Sequence, residues 1–139
     1  MAIEENKAIA RRWNEEIWSK GNLAAIDELL ASNFVFNYPS TGAAPDREGY
    51  KRTVAEFRGP CSDIQCNTEE VVAEGDKVVV RWTWSGTHTG EYWGAAATGK
   101  RLTITGIGIL RIADGKIVEE WGEMDNLGLM GQLALLPPT

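Results

Sequence analysis

The sequence has few of the residues that carry metal, disulfide or nucleotide chemistry. Its 139 residues include two cysteines and one histidine, too few for a His/Cys ligand cluster of the kind that holds zinc. It contains no Gly-x-Gly-x-x-Gly motif and no P-loop, so hydride and phosphoryl transfer lack support. The Gly-x-Ser-x-Gly motif of a nucleophilic serine is also absent. Most nucleotide-dependent and metal-dependent activities are therefore disfavoured.

The chain is also short of positive charge and of long apolar runs. It has 14 Lys and Arg against 20 Asp and Glu, a net charge of −6, which disfavours nucleic acid and anionic membranes as partners. No run approaches the roughly 20 apolar residues of a membrane span, and Met1 to Asn6 does not resemble a signal peptide. We expect a cytoplasmic protein. Cys61 and Cys66 lie in a predicted strand, where alternation would point them to opposite faces without a disulfide.

The amino-terminal half of the sequence has helical periodicity, and the carboxyl-terminal half has strand patterns. Apolar residues recur at helical spacing, and the turn residues Gly21, Asn22 and Asp46 separate or start the helices. The predicted helices are Ile3 to Lys20, Leu23 to Ala31 and Arg47 to Phe57, with a short strand over Phe34 to Tyr38. The predicted sheet strands are Ile64 to Ala73, Lys77 to Thr87, Arg101 to Ile112 and Lys116 to Asp125.

The Asp114-Gly115 pair joins the last two predicted strands in a tight hairpin, because a type I′ turn needs two residues with positive φ. Helices followed by successive antiparallel strands predict an α+β fold, in which a curved sheet packs on the amino-terminal helices. Such a layer pair can leave an apolar pocket between helices and sheet. Gly106, Gly108 and Gly122 interrupt the strands, and glycine there indicates either space for a ligand or curvature of the sheet.

The whole chain resembles the SnoaL-like polyketide cyclase family, whose cone-shaped α+β barrel is shared with ketosteroid isomerase and scytalone dehydratase. The matching segments are Trp18 to Asn22, Glu74 to Asp76, Gly86 to Glu91, Thr98 to Lys100, Arg111 to Glu119 and Gln132-Leu133. The resemblance implies a single domain over residues 1–139, a pocket for a small hydrophobic ligand, and a homodimer formed through the sheet face. It also implies neither a metal nor a redox cofactor.

The resemblance places the family's catalytic pair at two glycines. In the family's cyclases an Asp on the last strand moves the proton in an aldol ring closure, and a His on the preceding strand polarises the substrate. Those positions correspond to Gly122 and Gly108 here, so the usual pair is absent. Glu120 shares a strand face with Gly122 by period two and is the first candidate for a replacement base. The alternative is a charge at the pocket rim or in a dimer salt bridge.

Two further residues are secondary acid–base candidates. His88, the lone histidine, lies in the matching Gly-Thr-His-Thr-Gly segment and has a pKa suited to neutral pH; alternatively, it orders its own loop. Asp125 follows the last strand, where it could serve catalysis or cap the helix that starts near Asn126. Trp121 falls on the face opposite Glu120, and we interpret it as part of the dimer interface.

Aromatic and glycine residues are predicted to form the substrate-binding wall. The alternative for the aromatic residues is an ordinary core. Tyr38 and Tyr50 could add hydroxyl donors for a bound carbonyl. The predicted substrate-binding residues are Trp13, Phe34, Tyr38, Tyr50, Trp82, Trp84, Gly106, Gly108 and Gly122.

Two functions of different classes follow from these observations. The first is a cofactor-independent enzyme of cyclase or isomerase type that transfers protons on a hydrophobic, carbonyl-bearing, polyketide-like metabolite. The second is a non-catalytic protein of the same fold that binds a hydrophobic ligand. They differ in one observable: an enzyme needs an ionisable group with a shifted pKa in its pocket, and a binding protein does not.

Overall fold

The computed structural model describes residues 2–38 and 45–135, which form an α+β fold. Four α-helices and one π-helix pack with five strands; the α+β class is as the sequence predicted, and the π-helix was not predicted. The helices are α1 (Ala2–Arg12), a π-helix (Trp13–Ser19), α2 (Leu23–Leu29), α3 (Arg47–Arg58) and α4 (Asn126–Gln132). The strands are β1 (Leu30–Asn37), β2 (Cys61–Glu74), β3 (Lys77–His88), β4 (Arg101–Ala113) and β5 (Lys116–Met124).

The five strands form one mixed sheet in the order β1-β5-β4-β3-β2. Strands β2 to β5 pair antiparallel with their neighbours in sequence, as predicted. Strand β1 instead joins β5 in parallel, because the chain reaches β5 only after crossing α3 and the rest of the sheet. β1 and β2 are the two edges, so hydrogen bonding between strands does not close the sheet into a barrel.

The predicted first helix is two helices of different pitch. After Arg12 the chain continues as a π-helix, in which the amide of Lys20 donates to the carbonyl of Glu15 at 2.9 Å. Hydrogen bonds over five residues turn the backbone less per residue than an α-helix does. Trp13 and Trp18, five residues apart, therefore project to similar sides. Gly21 ends the segment with a φ of +70°, as a helix-terminating glycine often does.

Local turn and cap predictions hold at several positions. Asp114 and Gly115 have φ angles of +50° and +74°, the signs that a type I′ hairpin requires. The side chains of Asn22 and Asp46 accept hydrogen bonds from the backbone at the starts of α2 and α3. These residues therefore set the entries to the helices that cover the sheet.

The prediction that Cys61 and Cys66 point to opposite faces is wrong. Both are buried and unbridged, because a register shift between Ser62 and Gln65 breaks the alternation of β2. Asp63, inside that shift, has a φ of +54°. The irregularity turns both thiols toward the same apolar cluster, which also contains Trp84.

The outward face of the sheet carries an apolar row across four strands. Trp121 on β5 pairs with Ile109 on β4, which pairs with Val79 on β3, which in turn pairs with Val72 on β2. Val72 is 54% exposed, and Ile109 and Trp121 are half-buried. We call these four residues the outer row. None of the described helices is long and apolar enough to cross a membrane.

Candidate active site

A narrow cleft lies between the helices and the inward face of the sheet. It holds about 570 Å³ of empty space, including the part that opens to solvent. Its walls are almost entirely apolar and aromatic, which suits a flat hydrophobic ligand. The residues that line it are Trp13, Asn14, Trp18, Phe36, Tyr38, Thr53, Phe57, Cys66, Trp82, Trp84, Ile104, Glu120, Gly122, Glu123 and Met124.

Glu120 is a buried carboxyl in the wall of this cleft. Its residue is 5% exposed, and it lies on the inward face of β5 with Gly122, as the period-two pattern predicted. Its Oε1 has no hydrogen-bond partner among the described residues. A buried carboxyl oxygen without a partner is costly and uncommon. This oxygen therefore keeps an unused capacity to accept a hydrogen bond.

Tyr50 on α3 accepts hydrogen bonds from two tryptophans beside Glu120. The indole Nε1 of Trp13 donates to the Tyr50 hydroxyl at 2.7 Å, and that of Trp18 donates to the same oxygen at 2.8 Å. Two donors fill the two lone pairs of a hydroxyl oxygen. The charge of Glu120 acts on the same hydroxyl. The π-helix makes this arrangement possible because it presents both indoles to one side.

Burial raises the pKa of Glu120 to about 8, and hydrogen bonds from Tyr50 and Trp13 oppose part of that rise. Burial also raises the pKa of Tyr50 well above its usual value, and the charge of Glu120 adds to this effect. Tyr50 therefore stays protonated and remains a donor. Glu120 changes its protonation near neutral pH, which is the property of a useful general acid or base.

Gly108 and Gly122 are direct cross-strand partners beside this carboxyl. A Cβ at Gly122 would lie 3.4 Å from Glu120 Oε2, and a Cβ at Gly108 would lie 4.0 Å from the same oxygen. Both distances are ordinary van der Waals contacts, so a methyl group at either position would fit beside the carboxyl. Gly106 has a different role: a Cβ there would overlap the Trp82 ring. The prediction that Gly106 widens the pocket floor is corrected, because Trp82 fills that space.

The other predicted substrate-binding residues fall into two groups. Trp13, Tyr38, Trp82, Trp84 and Gly122 line the cleft, whereas Phe34, Tyr50, Gly106 and Gly108 are not among its lining residues. Phe34 packs behind the wall, with its ring centroid 5.2 Å from that of Tyr50. The hydroxyl of Tyr38 makes hydrogen bonds with the side-chain amide of Asn126 at the start of α4.

His88 is the last residue of β3 and is not among the residues that line the cleft. Its ring is fully buried, with Nδ1 2.9 Å from Thr98 Oγ1, and its backbone bonds to Gly99 and Lys100. These contacts hold the loop between β3 and β4. The structure therefore does not bring His88 to Glu120, and the loop-ordering alternative describes its position.

Asp125 is not among the lining residues, although it directly follows Met124, which is one of them. Its side chain accepts a hydrogen bond of 2.8 Å from the amide of Gly128, and it is the N-cap of α4. The carboxylate is thus engaged in holding the first turn of that helix, as the capping alternative proposed. Of the three predicted acid–base residues, Glu120 is the one that borders the cleft.

Several lining residues were not predicted from the sequence. Trp18 and Thr53 come from helices, and the register shift in β2 brings in Cys66. The thiol of Cys66 donates to Asn14 Oδ1 at 2.9 Å, and burial raises its pKa to about 12, so it is a neutral packing group. Within the described part of the chain, no three His, Cys, Asp or Glu side chains are grouped to hold a metal ion.

Comparison with known proteins gives a consistent family match. The family model described as SnoaL-like polyketide cyclase matches residues 8–133. None of the curated proteins compared with this chain matches it. The family match spans nearly all of the fold described above, including α3, the sheet and the cleft.

Three solved structures illustrate the likeness. A proposed polyketide cyclase from Bacillus cereus is 32% identical, with 96% of this chain and 83% of that chain covered and a TM-score of 0.83. IdmH, a proposed polyketide cyclase from Streptomyces antibioticus, is 28% identical over 93% and 98% of the chains, with a TM-score of 0.81. AclR, a proposed hydroxylase from Streptomyces galilaeus, is 26% identical over 99% and 89%, with a TM-score of 0.87.

Proposed function

This chain belongs to the SnoaL-like polyketide cyclase family, and from that premise we propose that it transfers protons on a hydrophobic, carbonyl-bearing metabolite without a cofactor. Glu120 is the proposed catalytic residue. The observation that carries the proposal is the position of its buried carboxyl, which faces an apolar cleft with Oε1 unpartnered. A polyketide-like ketone has both the apolar surface and the acidic C–H bonds that such a site would use.

The proposed step begins with the ionised carboxyl. Glu120 removes a proton from the carbon next to the substrate carbonyl, which leaves an enolate and a neutral carboxylic acid. The acid then returns the proton to another carbon in an isomerisation, or to the new alkoxide in a ring closure. A base with a pKa near the working pH is suited to both halves of this exchange.

Proton exchange with solvent tests this proposal without knowledge of the natural substrate. Wild-type protein is incubated in D₂O with 2-acetylnaphthalene and with an aryl 1,3-diketone, and loss of the α-proton signals is followed by NMR. We expect exchange faster than in buffer, reduced at least about 100-fold by Glu120→Gln, since a positioned base contributes about that much or more. Glu91→Gln is the matched control, because it removes an exposed carboxylate that is not among the lining residues.

The outcomes separate the two functions. If the ketones bind to wild-type protein but it does not accelerate exchange, the protein is a non-catalytic binding protein and the proposed enzymatic function is wrong. If exchange persists in Glu120→Gln, another group is the base. Binding of both ketones is measured separately by calorimetry, so a lack of exchange is not confused with a lack of binding.

We further propose that the outer row forms a homodimer interface with a second copy of this chain. The row is apolar, crosses four strands, and is flanked by the ion pair of Arg111 and Glu119, whose Nη2 and Oε1 lie 3.2 Å apart. A second copy related by a two-fold axis would present the same apolar row and the same pair of opposite charges. The apolar row of one copy can therefore pack on that of the other, and the Arg111 and Glu119 charges of one copy can pair with the opposite charges of the other.

A further inference from the structure

The cleft contains a second buried polar atom without a partner. The indole Nε1 of Trp84 makes no hydrogen bond within the described part of the chain. Trp84 is 3% exposed and lines the same cleft as Glu120. The Trp13 and Trp18 indoles differ, because each of them donates to Tyr50. Trp84 is therefore a lining tryptophan whose donor is both buried and unused.

Trp84 and Glu120 lie in different parts of the cleft wall. Trp84 pairs with Ile104 on β4, and Glu120 pairs with Leu110 of the same strand. The backbones at those two β4 positions are separated by roughly 20 Å, at about 3.3 Å per residue. Gly122 and Met124 on β5 also line the cleft. A ligand that contacts both residues therefore meets Trp84 at a point remote from Glu120.

The chemistry of the two atoms is complementary. An indole N–H is a donor only, so its partner must be an acceptor such as a carbonyl, ether or hydroxyl oxygen.

We propose that Trp84 Nε1 binds an acceptor oxygen at the end of the substrate remote from the reacting carbonyl. The substrate class is then an elongated, planar, aromatic ketone that carries an oxygen substituent at its far end. Trp84 selects and orients that ligand, whereas Glu120 performs the chemistry. The proposal rests on the proposed function in one respect, namely which end of the ligand carries the reacting carbonyl. Its test is a binding measurement that does not depend on turnover.

The test uses two probes that differ by one remote oxygen: 2-acetylnaphthalene and its 6-methoxy derivative. Dissociation constants are measured by calorimetry for wild type, Trp84→Phe and Trp82→Phe. We expect wild type to bind the methoxy probe about fivefold more tightly than the parent, the size of one neutral hydrogen bond. Trp84→Phe should remove that preference. Trp82→Phe makes the same change two positions away in the same wall and should keep it.

A second measurement on the wild type covers the case in which Trp84→Phe does not fold. The indole N–H of Trp84 is followed by NMR, and the methoxy probe should shift its proton downfield more than the parent ketone does. Equal affinities for both probes, equal shifts, or an unchanged preference in Trp84→Phe would each overturn the proposal. Glu120→Gln should retain the preference, so failure of the catalytic proposal is seen separately, as loss of solvent exchange alone.

Discussion

The Gly122 backbone borders the Glu120 carboxyl, and a Cβ at position 122 would lie 3.4 Å from Oε2. Gly122 pairs with Gly108 on β4, and the resemblance drawn from the sequence predicts that the acid–base pair of the family's cyclases corresponds to these two glycines. The Glu120 carboxyl lies beside both of them. We therefore propose that Glu120 supplies, from a neighbouring backbone position, the ionisable group that the glycines lack.

Glu120→Gln should stabilise the protein increasingly as the pH rises. Below about pH 4.5, the ordinary value for this carboxyl, it is protonated in both folded and unfolded chains. Between about 4.5 and about 8 the folded form keeps its proton while the unfolded form loses it, so wild-type stability falls by up to about 1.4 kcal/mol per pH unit. Urea unfolding of both proteins at pH 5 and pH 8 measures this difference.

Glu123→Gln is the control for that experiment, since its carboxyl is exposed to water in the folded protein. Its difference from wild type should be similar at both pH values. If the difference in unfolding free energy between Glu120→Gln and wild type does not grow with pH, the pKa of Glu120 is not raised in the folded protein. The proposed base would then lack a pKa near neutral pH.

Tyr50→Phe should shift the pH dependence of proton exchange to higher pH. The substitution removes the O–H donor that favours the ionised carboxyl, so the pKa of Glu120 should rise above about 8. It also leaves the Trp13 and Trp18 N–H groups without an acceptor, at a cost of about 1–3 kcal/mol each. The midpoint of the exchange rate against pH is the measurement. Tyr38→Phe, which loses a cleft hydroxyl bound to Asn126, should leave the midpoint unchanged.

Alanine substitutions should separate the two kinds of strand glycine. Gly106→Ala would place a methyl group inside the Trp82 ring and should destabilise the protein by about 1–3 kcal/mol, as overpacking does. Gly122→Ala meets Glu120 Oε2 and Phe36 only at 3.4 and 4.0 Å, so it should be neutral or stabilising by up to about 1 kcal/mol. Thermal unfolding of both variants measures the two changes in stability. Equal losses of stability in Gly106→Ala and Gly122→Ala would contradict the different roles given to the two glycines.

The sequence was sufficient to predict the elements whose cause is local. The Asp114-Gly115 turn, the caps at Asn22 and Asp46, and the inward face shared by Glu120 and Gly122 all follow from backbone preference or from period two. The π-helix after Arg12 and the parallel pairing of β1 were not predictable in this way. The first depends on packing against Tyr50, and the second depends on a pairing between segments about 80 residues apart.

The inward position of Glu120 was predictable from the sequence, but most of its surroundings were not. Period two was enough to place Glu120 on the buried face, because the pattern relies on one strand. The roles of Trp18 and Tyr50 depend on where a helix meets the sheet, which spacing alone does not fix. Gly106 was misinterpreted for a similar reason: the neighbouring Trp82 ring, not a ligand, uses the space that its missing side chain leaves.

Trp121→Glu should convert the proposed homodimer into a monomer. Trp121 is one end of the outer row and pairs with Ile109, so a two-fold interface would bury two new carboxylates in apolar surroundings. Light scattering across a range of protein concentrations should give a dimer for wild type and a monomer for this variant. Leu127→Glu is the control, because Leu127 is 68% exposed on α4 and outside the row. A monomeric wild type would show that the proposed interface does not form. A Trp121→Glu variant that stays dimeric would show that the interface lies elsewhere on the protein.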